Sequence, residues 1–256
     1  MSEAGLVQRT IWILRAVASR PDGMGLSEVA RASGIPKATC YRVLSVLEQE
    51  RWLLLDSHTK RYRVSLGLLS VVGGLLDTDG AYAGMRQILT ELAEQTQETA
   101  GLDVLLTPHV MVVAQVPGPR LIGQAMRPVP RTQPVWRTAT GKALLSHMGR
   151  AEVLRDFAED FAADPPEGAT TLDAFLDGLV PAREQGYAYA FDELEKGAAS
   201  VAAIVPVRHS APYGVWIGGP TFRITQERIP ELAEAVRAAA RSLEEILNIS
   251  GVVFRH

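Results

Sequence analysis

A chain of 256 residues with 47% apolar and 21% charged side chains has enough hydrocarbon for one large core or two smaller ones, which excludes a disordered or fibrous protein. No apolar run reaches bilayer-spanning length, the first ten residues lack the basic-then-apolar order of a secretion signal, and a lone cysteine cannot form an internal disulfide, so a cytoplasmic setting is expected. The net charge of −3 is unevenly spread: Met1 to Ser65 holds ten Lys and Arg against six Asp and Glu, and the remainder sixteen against twenty-three, which describes a basic head on an acidic body.

In chain order, Leu6 to Ser19 places Leu6, Ile11, Leu14 and Val17 at helical spacing and predicts a first helix, ended by Pro21-Asp22-Gly23. Leu26 to Val64 (LSEVARASGIPKATCYRVLSVLEQERWLLLDSHTKRYRV) then reads as two short helices broken at Ser33-Gly34, with Ser27 as a cap for the first, followed by a basic hairpin. Gly34 suits a tight turn and Pro36 the first position of the second helix. On that helix Val43, Leu44, Val46 and Leu47 supply the apolar side, at least three of them to a core. Lys37, Thr39, Cys40 and Arg42 point outward, with Tyr41 at the edge. Cationic and hydroxyl groups on a helix start match phosphate oxygens and base edges. Leu53 to Leu55 and Arg61 to Val64 are expected strands around an Asp56–Lys60 turn, with Tyr62 and Val64 packing while Arg61 and Arg63 face DNA backbone or minor groove. Helix, turn, second helix and basic wing in this order point to a winged helix-turn-helix that binds DNA; a small helical subdomain with a solvated basic face is the alternative.

Ser65 to Asp77 (SLGLLSVVGGLLD) predicts an apolar linker helix, weakened at Gly73-Gly74, whose exposed face dimerises or docks on the second domain. Beyond it, Met85 to Thr96 reads as an amphipathic helix. Strands are expected at Leu102 to Thr107, Val110 to Val116, Leu121 to Ala125, Tyr187 to Phe191, Val201 to Val207 and Gly214 to Ile217, the first three as a meander. Helices are expected at Gly141 to Met148, Ala151 to Phe157, Leu172 to Glu184 and Gln226 to Leu247. Sheet and helices without βαβ regularity imply an α+β domain. The expected division is a winged helix-turn-helix at 1–65, a linker helix at 66–80 and an effector-binding and oligomerisation domain at 81–256.

Several motifs in one order, LSEVARASGIPKATCYRVLSVLEQERWLL, RYRVSLGLL, TATGKALL (Thr138 to Leu145), REQGYAYAFDELEKGAASVAA (Arg183 to Ala203) and GGPTFRIT (Gly218 to Thr225), make the chain resemble the IclR family of bacterial transcriptional regulators over essentially its whole length. The resemblance implies a GAF-like effector domain with an antiparallel sheet flanked by helices, a homodimer or dimer of dimers on a palindromic operator, and a repressor answering a small organic acid. It places the ligand pocket around Ala139, Thr140, Gly141 and Lys142, near Ile204, and at Trp216 and Gly218. A helix start is independently a natural carboxylate site. Trp216 and Gly218 stand where many relatives have small hydroxyl residues, which favours an aromatic or bulkier acid over a small keto acid, unless Trp216 merely fills the core. Cys40 stands where relatives commonly have a small apolar residue, and so belongs to packing rather than redox sensing.

Other chemistry finds little support. The five histidines, His58, His109, His147, His209 and His256, lack zinc-site spacing, so no metal or cofactor is expected. Cys40 has no nearby histidine to activate it as a nucleophile. Gly141-Lys142 lacks the upstream glycine and following hydroxyl of a phosphate loop. Asp192, Glu193 and Glu195 suit a solvated turn, with Glu193 orienting backbone or standing at the pocket entrance. An enzyme carrying a DNA-binding head is the competing class; it needs a converging nucleophile, base and orienter, and the chain is expected not to be an enzyme.

Overall fold

A computed structural model of the chain describes residues 5–20, 22–68, 81–122, 127–169, 171–207 and 213–249. The chain divides into two compact units, Met1–Asp77 and Thr78–His256. The expected linker helix lies almost wholly outside the described residues; only Leu66–Leu68 is described there, as a 3-10 turn.

The N-terminal unit holds α1 (Leu6–Ala18), β1 (Met24–Gly25), α2 (Leu26–Ser33), α3 (Lys37–Gln49), β2 (Leu53–Leu55) and β3 (Arg61–Val64). Its core gathers Ile13, Val17, Val29, Cys40, Leu44 and Leu53, all 0% exposed. Leu6 and Ile11 were expected among the apolar stripe of the first helix, yet both are exposed, because the face turned inward is set by Ile13 and Val17. The cap of α2 also differs from expectation. Gly25 precedes the helix, and the Glu28 carboxylate reaches back to accept its N–H at 2.8 Å, so Ser27 is already inside the first turn. Gly34 closes α2 at φ +67°, a left-handed position that only glycine adopts without cost.

In the C-terminal unit, β4 (Thr99–Leu106), β5 (His109–Val116), β6 (Arg131–Pro134), β7 (Ala188–Phe191), β8 (Ala198–Val205) and β9 (Tyr213–Pro220) form one antiparallel sheet in the order β6-β5-β4-β9-β8-β7. The meander's third strand is Arg131–Pro134 rather than Leu121 to Ala125, of which Leu121 and Ile122 are exposed bends and 123–125 lie outside the described residues. Along β9, Tyr213, Val215 and Ile217 join the core built on α4 (Ala81–Thr96) and α9 (Ile229–Ile249), while Gly214, Trp216 and Gly218 take the opposite face. That opposite face is covered by α5 (Ala139–His147), with α6 (Arg150–Ala163), α7 (Leu172–Asp177) and α8 (Val180–Gln185) packed around it. The helix expected over Leu172 to Glu184 is two helices: α7 ends at Gly178, and α8 restarts with Pro181 in its first turn.

Candidate functional site

On the N-terminal unit, Val43, Leu44 and Leu47 anchor α3 to the core, while Val46, expected on the same apolar side, is 56% exposed. With that face buried, Lys37, Tyr41 and Arg42 are exposed and Thr39 is half-buried. These four carry one hydroxyl, one phenol and two cations on a single helix surface, a set able to meet both phosphates and base edges. Cys40 is corrected: it was placed among the outward residues, but it is 0% exposed, its Sγ 3.5 Å from the Ile35 carbonyl and 3.7 Å from Ser33 Oγ. At helical spacing it falls between Leu44 and the turn, so it packs the joint between α2 and α3 and cannot reach DNA.

The two wing arginines also part company. Arg61 donates from Nε and Nη2 to the Gly23 carbonyl at 3.1 and 3.0 Å and pairs with Glu28 at 2.9 Å, which ties β3 to the loop before α2. The Glu28 carboxyl is held below its ordinary range by the Gly25 N–H, with Arg61 adding to the effect. Arg61 is therefore largely committed to the fold. Arg63 is half exposed and, among the described residues, its one ion pair is with Asp56 at 3.5 Å, while that carboxylate accepts the His58 and Thr59 N–H groups that shape the wing turn. An exposed pair of this length adds little, so Arg63 stays available to a phosphate.

In the C-terminal unit the predicted pocket residues are mostly packed rather than open. Ala139, Thr140 and Trp216 are 1%, 2% and 5% exposed, and Gly141 and Gly218 are buried as well. Trp216 fills: it packs with Val112, Ala139, Ala190 and Ala202, and its ring lies so close over Gly101 that a Cβ there would stand 2.3 Å from it. Thr138 caps α5, its Oγ1 accepting the Gly141 N–H at 3.0 Å. Ile204 is half-buried on β8 against the α5 to α7 core. Lys142 forms an ion pair with Glu193 that joins α5 to the β7–β8 hairpin.

An open cleft of about 610 Å³ lies beside this packed layer. It is bordered by β6 residues Arg131 and Gln133 and by the hairpin residues Ala190, Glu193, Ala198 and Ser200. Strands from opposite edges of the sheet thus meet at one hollow, which requires the sheet to curl strongly. Of the eight residues expected to bind ligand, only Glu193 borders the cleft.

Sequence reading missed Asp103, a carboxyl 2% exposed on β4 that accepts a hydrogen bond from the Trp216 indole N–H at 2.6 Å and is also hydrogen-bonded by Thr140. Its signal was a lone acid inside the apolar run GLDVLL. Burial pushes its pKa up to about 7, against the pull of the two hydrogen bonds and of Arg131. The folded chain therefore holds this proton more tightly than the unfolded chain, whose Asp ionises near 3.8. Stability is then lost as pH rises from about 4 to about 7 and is flat beyond. Asp103→Asn, an uncharged mimic able to keep both hydrogen bonds, should remove that slope. In urea titrations it should be more stable than the native chain by a few kcal/mol at about pH 8, with the gap closing below about pH 4; equal stability of the two chains at both pH values would contradict the assignment.

Among the described residues no three His, Cys, Asp or Glu side chains gather as metal ligands, and no helix is long and apolar enough to cross a membrane. His209 and His256 lie outside the described residues.

Comparison with known proteins bears on both units. A family profile described as IclR helix-turn-helix domain matches residues 6–57, and one described as bacterial transcriptional regulator IclR C-terminal matches residues 76–245. The glycerol operon regulatory protein of Streptomyces coelicolor is 30% identical over 94% of this chain and 95% of its own. A solved IclR-type regulator from Silicibacter sp. TM1040 shares the fold with a TM-score of 0.82 at 23% identity, covering 95% of this chain and 96% of that one. An IclR homologue of Microbacterium hydrocarbonoxydans, solved in complex with 4-hydroxybenzoate, matches at a TM-score of 0.66 and 20% identity over 96% of this chain and 100% of that one.

Proposed function

Since the chain belongs to the IclR family of bacterial transcriptional regulators and carries that family's helix-turn-helix domain, we propose that it is a repressor that binds a palindromic operator as a homodimer or dimer of dimers and releases it in response to a small organic acid. The observation that carries this is α3: Lys37, Thr39, Tyr41 and Arg42 stand on a helix whose opposite face is locked by Val43, Leu44 and Leu47. Lys37 and Arg42 contact phosphates and base edges, Thr39 and Tyr41 add directed hydrogen bonds, and Arg63 holds the backbone beside the wing. Arg61 contributes by positioning the wing.

The surplus of positive charge on the head is small, so useful affinity comes from several heads acting together. Symmetric heads read half-sites about one helical turn apart, with residues 66–80 as the linker that sets their spacing. The acid acts by binding one arrangement of the dimer better than the other. That an acid is the effector is supported by the cationic side chains beside the cleft; the Microbacterium homologue supports an aromatic one, because the same fold there accommodates 4-hydroxybenzoate.

Selection of duplexes from random sequence is expected to return an inverted repeat. On that duplex, Arg42→Ala should raise Kd about 10- to 100-fold and flatten the salt dependence by about one unit of slope. An Arg42→Ala chain with unchanged affinity and unchanged slope would sink the assignment of α3 as the reading helix.

A further inference from the structure

The C-terminal cleft carries an inference beyond the effector reading, on which it rests. The helix start at α5, the expected seat for a carboxylate, is closed: Ala139, Thr140 and Gly141 are buried, the Gly141 N–H is taken by Thr138, and the Lys142 ammonium is neutralised by Glu193. Space and charge coincide instead at β6. Arg131 is half-buried at the cleft, its Nε is buried with no hydrogen-bond partner among the described residues, and its Nη1 meets only the Arg127 carbonyl at 3.4 Å. A buried guanidinium donor left unmet is costly and is suited to an incoming anion. Asp103, which attracts Arg131, is capped by Trp216 and Thr140 and makes no ion pair with it within 4 Å.

The other charges around the opening are occupied or hydrated. Arg127 and Glu195 face each other at 3.7 Å, both well exposed, and Lys196 is exposed at the hairpin end. The strand residues across from Arg131 are small: Ala190, Ala198 and Ser200 present at most a hydroxymethyl group and Gly219 only its backbone, leaving a bed of small groups. Flat hydrocarbon with one anionic end fits that combination better than a compact, highly hydrated keto acid, because the bed removes apolar area from water while offering few hydrogen bonds.

We propose that the effector is a planar organic acid that lies on Ala190, Ala198, Ser200 and Gly219 with its carboxylate on the Arg131 guanidinium, in the cleft beside Trp216 and not in its place. Arg131 is thereby the residue that selects for an acid.

The test uses the full chain, with benzoate as probe and benzamide as its uncharged counterpart, by titration calorimetry. Benzoate is expected to bind the native chain and benzamide not. Arg131→Gln should weaken benzoate about 10- to 100-fold, the worth of a charge-assisted hydrogen bond, with Arg131→Lys in between. A second measurement does not depend on Arg131 variants folding. In Ser200→Cys, alkylation of the new thiol by N-ethylmaleimide should be fast against the buried Cys40, and benzoate should slow it. Benzoate that binds the native chain and Arg131→Gln equally, or leaves the Ser200→Cys thiol unprotected, would overturn the placement while leaving an acid-sensing domain intact. No binding of benzoate to the native chain overturns the planar-acid reading itself, and retained operator binding in that case shows that the DNA-binding assignment stands apart from it.

Discussion

Replacing Arg223 with alanine should cost the C-terminal unit about 3–5 kcal/mol, because it strands a buried carboxylate. Glu98 is 1% exposed and is gripped by Arg223 Nε and Nη2, each at 2.6 Å from one carboxylate oxygen. Two glycines let the chain close around this residue: a Cβ on Gly219 would stand 2.1 Å from Glu98 Oε2, and one on Gly118 would stand 2.7 Å from the Glu98 backbone carbonyl carbon. The pair ties the residue before β4 to the turn after β9 in the C-terminal unit. Chemical denaturation followed by near-ultraviolet circular dichroism should show the transition of this unit move to lower denaturant. The companion double variant, Glu98→Met with Arg223→Met, should recover most of the loss, since apolar groups of similar volume remove the desolvation penalty together with the attraction. An Arg223→Ala chain within about 1 kcal/mol of native would show that the pair is not the latch its geometry describes.

Gly141→Ala should be comparably damaging for a steric reason. A Cβ at Gly141 would stand 1.7 Å from the Val135 carbonyl oxygen and 2.5 Å from its carbonyl carbon, and backbone cannot swing aside as a side chain can. The helix must then lift from the 3-10 turn Val135–Arg137, exposing Leu144 and Leu145, and we expect a loss of about 3 kcal/mol or more. Gly34→Ala makes the control: nothing lies within 4 Å of a Cβ there, and only its φ of +67° is unfavourable, so it should cost about 1–2 kcal/mol, and in the other unit. Because α5 carries Lys142 to its pair with Glu193 beside the cleft, Gly141→Ala should also weaken benzoate binding under conditions where the unit is still folded. Equal, small losses for the two glycines would refute the close approach of α5 to Val135.

Why some of this was readable beforehand follows from how far each signal reaches. Gly34 and the spacing of Val43, Leu44 and Leu47 are local commitments of a single helix pair, and the structure keeps them, while Pro36, expected as the first helical residue, stands one position earlier as the N-cap of α3 with extended backbone. The two strands Leu53–Leu55 and Arg61–Val64 were equally legible, since two short runs flank one turn, but of the residues expected to pack only Tyr62 is buried, and Val64 is 40% exposed. Cys40 was misplaced because helical spacing allows either side of the boundary, and only the approach of Ile35 and Ser33 decides it. β1 was invisible: two residues, Met24 and Gly25, become a strand only because Tyr62 and Arg61 come alongside. Arg131–Pro134 likewise becomes a strand through its pairing with His109–Val112 and not through its own β-propensity.

Sequence alone determined the family, the winged helix-turn-helix head, the alternation of strands and helices behind it, and the cationic outer surface of α3, because each is written in contiguous residues whose period and turn chemistry suffice. Tertiary structure decided where a ligand has room. Trp216 and Asp103 lie 113 positions apart and meet only when β4 pairs with β9, closing space that the motif pattern had suggested was open. Arg131 gains its place by the cleft only because the sheet curls to bring β6 towards the β7–β8 hairpin. A cavity is what packing leaves over, and no single stretch of chain carries that information.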